Sequence, residues 1–415
     1  MKIVILSQYF PPEVGAPQNR LFELAIRLQK MGAEITVLTA MPNYPQMQVL
    51  PGYKSKIYVH EKIENLDLLR AWIFVTKSKS IPLRLLNYFS FVFSSFWIGL
   101  FKLKKHDILL CESPPLFLGI TAYLLSKLKR SKMLFNVSDL WPESAEKLGL
   151  VTNRTFLKLA TLLEEFLYRK SFLISGQTQG IVKNIQQRFP SKTITWLPNG
   201  VDLSLYNFEN STSNWRVQNQ FLESDFILLY AGIIGHAQGL EVILKAAKLL
   251  QSNKQLKFIL LGSGPEKEKL QGMANELKLS NVFFYPAIVK SEMPAVVSAI
   301  DISIIPLKKL DLFKGAIPSK IFENLAMKKP ILLGVEGEAK ELFIEEGKCG
   351  WAFEPENEND LAQKITHCFE NKNQLLDLGN NGYIYVKEKF TRDKIATNFW
   401  AFLNKNLHAK PTVTR

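Results

Sequence analysis

The chain has little cysteine: Cys111, Cys349 and Cys368 are the only three in 415 residues, odd in number and far apart. They have neither metal-ligand spacing nor the pairing of a disulfide framework, which points to a reducing compartment. There is no Gly-Lys-Ser/Thr phosphate loop, no low-complexity tract and no internal repeat. The opening Met1-Lys2-Ile3-Val4-Ile5-Leu6 turns polar at Ser7-Gln8. So short an apolar run excludes a signal peptide and suits a buried first strand, and export is not expected.

Carboxylates are also scarce, and in one place nearly missing. Between Ala71 and Ser138 stand Lys77, Lys79, Arg84, Lys102, Lys104, Lys105, Lys127, Lys129, Arg130 and Lys132, against Asp107 and Glu112 alone. Ten bases less two acids put +8 of the chain's net +14 into that segment. Such a concentration attracts an anionic partner, a membrane surface or a nucleic acid. No nucleic-acid reader motif accompanies it, which argues against the second. Within it, Leu85–Phe101 runs for seventeen residues without a charge and with seven aromatics. A spanning helix needs about 20 apolar residues, and this run carries Asn87, Ser90, Ser94 and Ser95. It is either a buried helix of the first domain or a helix dipping into the bilayer interface.

At this length two domains are expected. Apolar runs alternate with helical patterns throughout. Strands are predicted at Ile3–Leu6, Ile35–Leu38, Ile108–Cys111, Met133–Val137 and Phe172–Ile174. A second series follows at Phe226–Ala231, Phe258–Leu261, Val282–Tyr285, Ile302–Ile305 and Ile331–Leu333. Helices such as Arg20–Met31, Leu240–Gln251 and Ile321–Lys328 lie between them. The fold class is therefore α/β, with two doubly wound parallel sheets. The turn Leu197-Pro198-Asn199-Gly200-Val201-Asp202 and the polar stretch Glu209 to Asn219 separate the series. This places an N-terminal domain at 1–194 and a C-terminal domain at 195–384, with a last helix, about 385–407, returning to the first. A ligand belongs between the carboxyl ends of the two sets of strands.

Five segments carry candidate chemistry. Pro11-Pro12-Glu13-Val14-Gly15-Ala16-Pro17 opens a helix near Gln18, and Gly15 lets a ligand approach its N-terminus. A tight βα turn reads the same way. Ala231–Leu240, with Gly235, His236, Gln238 and Gly239, runs from a strand into a helix, and Leu261-Gly262-Ser263-Gly264-Pro265-Glu266 repeats the device. In Ile317–Ala326, Ser319 is positioned to cap a helix on which Lys320, Glu323 and Asn324 share one face. A cation there suits a pyrophosphate, and a carboxylate one turn on suits two ribose hydroxyls; a surface salt bridge is the other fate of that spacing. Asp139, in Asn136–Ser144 after a strand, is placed either for site chemistry or to cap a helix.

Taken together, the proline-glycine first turn, Pro198–Asp202, Gly232–Leu240, Ser298–Leu307, the Glu323 helix and Gly350–Pro355 resemble the family-4 retaining glycosyltransferases of the GT-B fold. Asp139–Ser144, Ala237–Glu241 and Pro318–Lys320 are similar to the subgroup that transfers N-acetyl-L-fucosamine in O-antigen and capsule assembly. The resemblance implies a UDP-sugar donor in the second domain, near Ala287 and Ile288 for the base and Glu323 for the ribose. It implies a lipid-linked saccharide acceptor in the first, retention without a metal or other cofactor, and Asp139 orienting or assisting. The basic, aromatic segment points to a cytoplasmic enzyme, peripheral on the membrane, with Arg84, Phe89, Trp97, Lys102, Lys104 and Lys105 meeting the anionic surface and the acceptor. Departures are visible: Gly315 stands where the family's first paired glutamate falls, Ile233 and Gln238 replace the phosphate-loop Arg and Lys, and Ser138 replaces a histidine. Lys320, with His236, is left to meet the diphosphate. A nucleotide-sugar 2-epimerase of the same fold and a non-catalytic scaffold are the competing readings.

Overall fold

Fourteen strands among the described residues form two sheets. In the first, β1 (Lys2–Ser7), β2 (Glu34–Ala40), β3 (Tyr58–Ile63), β4 (Leu66–Ala71), β5 (Ile108–Ser113), β6 (Lys132–Val137), β7 (Leu173–Gly176) and β8 (Ile194–Trp196) take the order 3-4-2-1-5-6-7-8. All neighbours are parallel except β3 and β4. In the second, β9 (Phe226–Ala231), β10 (Leu256–Leu261), β11 (Val282–Tyr285), β12 (Ile302–Pro306), β13 (Ile331–Gly334) and β14 (Gly350–Ala352) are all parallel, in the order 11-10-9-12-13-14. The computed structural model describes residues 1–408 apart from Val14, Pro45, Lys79, Leu150 and 210–212. Lys79 of the basic segment, Val14 of the first turn and the middle of the polar stretch after Glu209 therefore lie outside the described residues.

The chain divides into two units, Met1–Pro198 with the helix Arg392–His408, and Asn199–Thr391. In the first unit β1 shows why its strands read as uninterrupted apolar runs. Val4 and Leu6 enter one core with Leu38, Phe91, Leu109 and Phe135. Ile3 and Ile5 enter the core on the other face with Leu24, Leu28, Ile35, Val37 and, from the last helix, Ile395 and Phe399. Successive side chains of a strand point to opposite faces, so a strand covered on both must be apolar at every position.

The uncharged run lies within the helix Ile81–Lys102, and its sidedness is unusual. Phe91 and the small polar Asn87, Ser90, Ser94 and Ser95 are buried. Leu86, Phe89, Phe93, Trp97 and Phe101 are exposed, Phe93 by 66% and Phe101 by 73%. The polar side faces inward because the irregular segment after β4 needs partners for its backbone. Ser90 Oγ accepts from Phe74 N (2.9 Å), Asn87 Nδ2 donates to Phe74 O, and Ser94 Oγ donates to Trp72 O. The helix is thus packed into the first unit along one face and presents an apolar face to the surface along the other. Exposed Leu124 and Leu128 on the adjacent helix Leu118–Lys129, and Leu159 and Leu162 on Arg154–Lys170, add to the apolar surface of this unit. Arg84 near the start of the aromatic helix, and Lys102, Lys104 and Lys105 at its end, are exposed.

Candidate active site

In the second unit β9 and β12 are neighbours, and the chain leaves them in opposite directions across the sheet. The carboxyl ends of such a pair form the switch point at which doubly wound sheets hold ligands. The loop after β9 carries Gly235, in extended conformation, and the short turn His236–Gln238; Gly239, at φ +58°, swings the chain into the helix Glu241–Leu249. The loop after β10 packs directly on the loop after β9. Its Gly262, at φ +152°, lies so close to the first loop that a Cβ there would sit 1.8 Å from Gly232 O. Ile234 N donates to Ser263 O (2.9 Å), so the second loop buttresses the first.

The helix Lys320–Ala326 begins after the loop that follows β12. Ser319 does not cap it: its backbone is already helical and its hydroxyl makes no capping bond. Lys320 reaches back to β9, with Nζ 4.6 Å from the centroid of the Tyr230 ring and 3.5 Å from its hydroxyl. The Tyr230 hydroxyl donates to Ile233 O at 2.5 Å, joining lysine, tyrosine and glycine loop. No carboxylate lies within 4 Å of the Lys320 ammonium among the described residues. Burial lowers its pKa to about 8, while the charge of Glu323 acts the other way. Glu323 is half-buried one turn on, but Asn324 does not share the open face: it is buried and donates to Lys320 O at 2.8 Å.

A lysine stands beside the His236 turn. Lys308 Nζ lies 2.9 Å from one ring nitrogen of His236 and 3.3 Å from the other. An ammonium can only donate, so the ring nitrogen at 2.9 Å is the acceptor of that contact. Lys308 is unmarked by any motif. Ala287 is exposed and Ile288 half-buried in the segment after β11. At Gly315 an added Cβ would meet nothing within 4 Å.

In the first unit, Gly15 precedes the helix Ala16–Lys30 in an extended conformation. Glu13 beside it is buried and pins this turn: its carboxylate accepts from Asn43 N (2.7 Å), Tyr44 N (2.8 Å) and Phe10 N (3.1 Å). Past the ends of β5, β6 and β7 lies a buried network that no local motif announces. Arg20 pairs with Glu112 (2.5 Å) and donates to Ser138 Oγ (2.7 Å) and Gln177 Oε1 (2.9 Å). Ser138 in turn donates to Glu112. The network fixes the backbone that presents Asp139, whose carboxylate accepts from the Ser144 hydroxyl at 2.8 Å. Asp139 does not cap the next helix, which starts after Pro142. Burial is the largest influence on its carboxyl and raises the pKa.

Both units match known families. The profile of Glycosyltransferase Family 4 matches residues 18–205, and that of Glycosyl transferases group 1 matches 211–385. The chain is a family-4 glycosyltransferase. This glycosyltransferase is 27% identical over 334 residues to the Escherichia coli protein WcaI, named as a glycosyl transferase of colanic acid biosynthesis, covering 79% of this chain and 81% of the other. It is 22% identical to the alpha-monoglucosyldiacylglycerol synthase of Acholeplasma laidlawii, over 98% of each. Among solved structures, sucrose-phosphate synthase from Thermosynechococcus elongatus superposes with a TM-score of 0.77 at 16% identity, covering 99% of this chain and 100% of that one. Anabaena HepE, solved with UDP and glucose, gives 0.72 at 18% identity over 98% and 100%. The glycosyltransferase thus has the GT-B fold, two Rossmann-like α/β units.

Proposed function

We propose that this glycosyltransferase takes a sugar from a UDP-sugar bound by its second unit and transfers it, with retention, to a lipid-linked saccharide engaged by its first. The observation that carries the donor reading is the Lys320 ammonium, desolvated over Tyr230 beside the glycine loop and paired with no carboxylate among the described residues. A half-buried cation with no carboxylate in contact is costly, and a diphosphate is the ligand that relieves it. Lys308 adds a second charge through the His236 turn, so the diphosphate is met by lysines in place of a metal ion. Glu323, one helical turn beyond Lys320, is assigned to the ribose and the Ala287–Ile288 segment to the base. The UDP and glucose held by Anabaena HepE, a structural neighbour, support the same class of donor.

On the acceptor side, Asp139 orients or assists the attacking hydroxyl, while the leaving phosphate takes its proton. The exposed stripe Leu86, Phe89, Phe93, Trp97 and Phe101, with Arg84 near one end and Lys102, Lys104 and Lys105 at the other, fits an anionic membrane surface. Charge complementarity and apolar insertion together favour a peripheral position on the cytoplasmic face, where a lipid-linked acceptor is presented. Relatives named for colanic acid biosynthesis and for a glycolipid support surface-polysaccharide or glycolipid assembly, O-antigen or capsule being the closest fit. The test is a thermal-shift panel of nucleotides. A ligand at 100 times its dissociation constant stabilises by about 2.7 kcal/mol. UDP should raise Tm and GDP and ADP should not; a panel without response to UDP rejects the donor.

A further inference from the structure

At the amino-terminal ends of the strands in the first unit, opposite the loops that carry Gly15 and Asp139, lies a cavity of about 100 Å³. Pockets that hold drug-sized ligands occupy roughly 300–1,000 Å³, so this one has room for a small ion and not for a nucleotide or sugar. Lys2, Lys102, Lys104, Lys105, His60 and His106 line it, with Glu34 and Asp67. The carboxylates nearby are already engaged. Glu34 pairs with Lys2 Nζ at 3.1 Å, Asp67 with His60 at 3.2 Å, and Asp107 accepts from Lys2 N at 2.7 Å. Lys102, Lys104 and Lys105 have no carboxylate within 4 Å among the described residues.

These lysines are mounted on a fixed backbone. His106 is buried and bridges Lys104 O (2.9 Å) to the Ser131 hydroxyl (3.0 Å). Lys129 Nζ donates to Leu103 O at 2.9 Å, and Leu103 N to Gly99 O at 3.1 Å. A preorganised rim loses less freedom on binding than three free surface lysines would. Immediately before Lys102, the exposed rings of Trp97 and Phe101 are stacked at 6.0 Å. The cavity therefore opens where the apolar stripe ends.

We propose that this cavity binds a phosphate group, clamped by Lys102, Lys104 and Lys105, and that on the membrane this group is the headgroup of an anionic phospholipid. The assignment of the lipid rests on the membrane reading given above; the phosphate site does not. Two vesicle preparations matched in surface charge separate a site from diffuse attraction, one charged by phosphatidic acid and the other by oleate, which has no phosphate. Wild type should bind the phosphatidic acid vesicles about tenfold more tightly. The double variant Lys104→Gln/Lys105→Gln should lose that preference yet keep the binding supplied by the aromatic stripe. Lys127→Gln/Arg130→Gln, which removes the same charge outside the cavity, should retain it. Equal losses in the two doubles overturn the proposal, because the lysines would then act as general surface charge. Inorganic phosphate, followed by Tm, forms the second arm. If neither vesicle sediments wild type, the membrane reading fails; a phosphate-dependent rise in Tm that the Lys104/Lys105 double lacks still supports the site and assigns it to free phosphate. Absence of both the lipid preference and the phosphate response overturns the site itself.

Discussion

Replacing Lys320 by alanine removes the cation that the Tyr230 ring and hydroxyl hold beside the glycine loop. A hydrogen bond assisted by full charge contributes about 1.5–3 kcal/mol, so UDP and the UDP-sugar should bind roughly 10- to 150-fold more weakly to Lys320→Ala. Uridine, which lacks the diphosphate, should change little. The pH dependence is a second, independent signature. With a pKa of about 8, the ammonium is mostly intact at pH 7 and mostly neutral at pH 9. A diphosphate favours the charged form and raises the pKa in the complex, so affinity is full below about pH 8 and falls as pH rises through it. The loss should approach about tenfold per pH unit before the lysine of the complex also titrates. The stability of the free enzyme runs the other way. The folded pKa lies below the unfolded value of 10.5, so the cost of burying the charge is in place below about pH 8 and relieved on going to 10.5. Calorimetric titration of UDP and uridine into both proteins from pH 7 to 9 checks the binding, and urea unfolding of the free enzyme over pH 7 to 10 checks the stability. An unchanged UDP affinity in Lys320→Ala, or the same pH profile in both proteins, refutes the phosphate assignment.

Asp139→Asn should leave UDP affinity unchanged and slow turnover ~100-fold, the scale of a positioned acid or base, measured with saturating donor; near-normal transfer returns Asp139 to a structural role beside Ser144. Changing Lys102, Lys104 and Lys105 together to glutamate should abolish most sedimentation with anionic vesicles, since each base contributes about 1 kcal/mol at such a surface. Salt should release wild type only in part, because the aromatic stripe is insensitive to it; full release at high salt counts against insertion. Gly262→Ala forces a Cβ to 1.8 Å from Gly232 O at φ +152°, and should destabilise by about 3 kcal/mol or more in urea unfolding. Gly315→Glu enters open space and should stay within about 0.5 kcal/mol of wild type.

How much of the molecule is legible in its sequence depends on what each residue has to satisfy. The buried parallel strands can be read because both faces need apolar side chains. The hairpin β3–β4 cannot: its turn at Glu64-Asn65 puts both residues at positive φ without a glycine to announce it. Its Arg70 side chain is fully buried, against the polar expectation for arginine. The short edge strand Ile194–Trp196 is only half-buried and carries no alternation to detect. In the site, Lys320 and Glu323 stand out because one helix places both. Lys308 meets His236 from 72 positions away, and Arg20 meets Ser138 from 118, spacings at which only the fold makes neighbours. The aromatic helix is visible in the sequence but its orientation is not, since aromatic residues occur on both faces and its inward side is chosen by backbone groups of Trp72 and Phe74.

The last helix, Arg392–His408, puts Ile395, Ala396, Phe399 and Leu403 into the same core as Ile3, Leu24 and Val37. One unit is therefore assembled from the two extremities of the chain, while Asn199–Thr391 is continuous. During vectorial synthesis the continuous unit has all its residues once Thr391 has left the ribosome. The other emerges earlier and must keep an unfinished apolar surface until some seventeen further residues arrive. The nascent protein thus carries Asn199–Thr391 complete before the first unit can close.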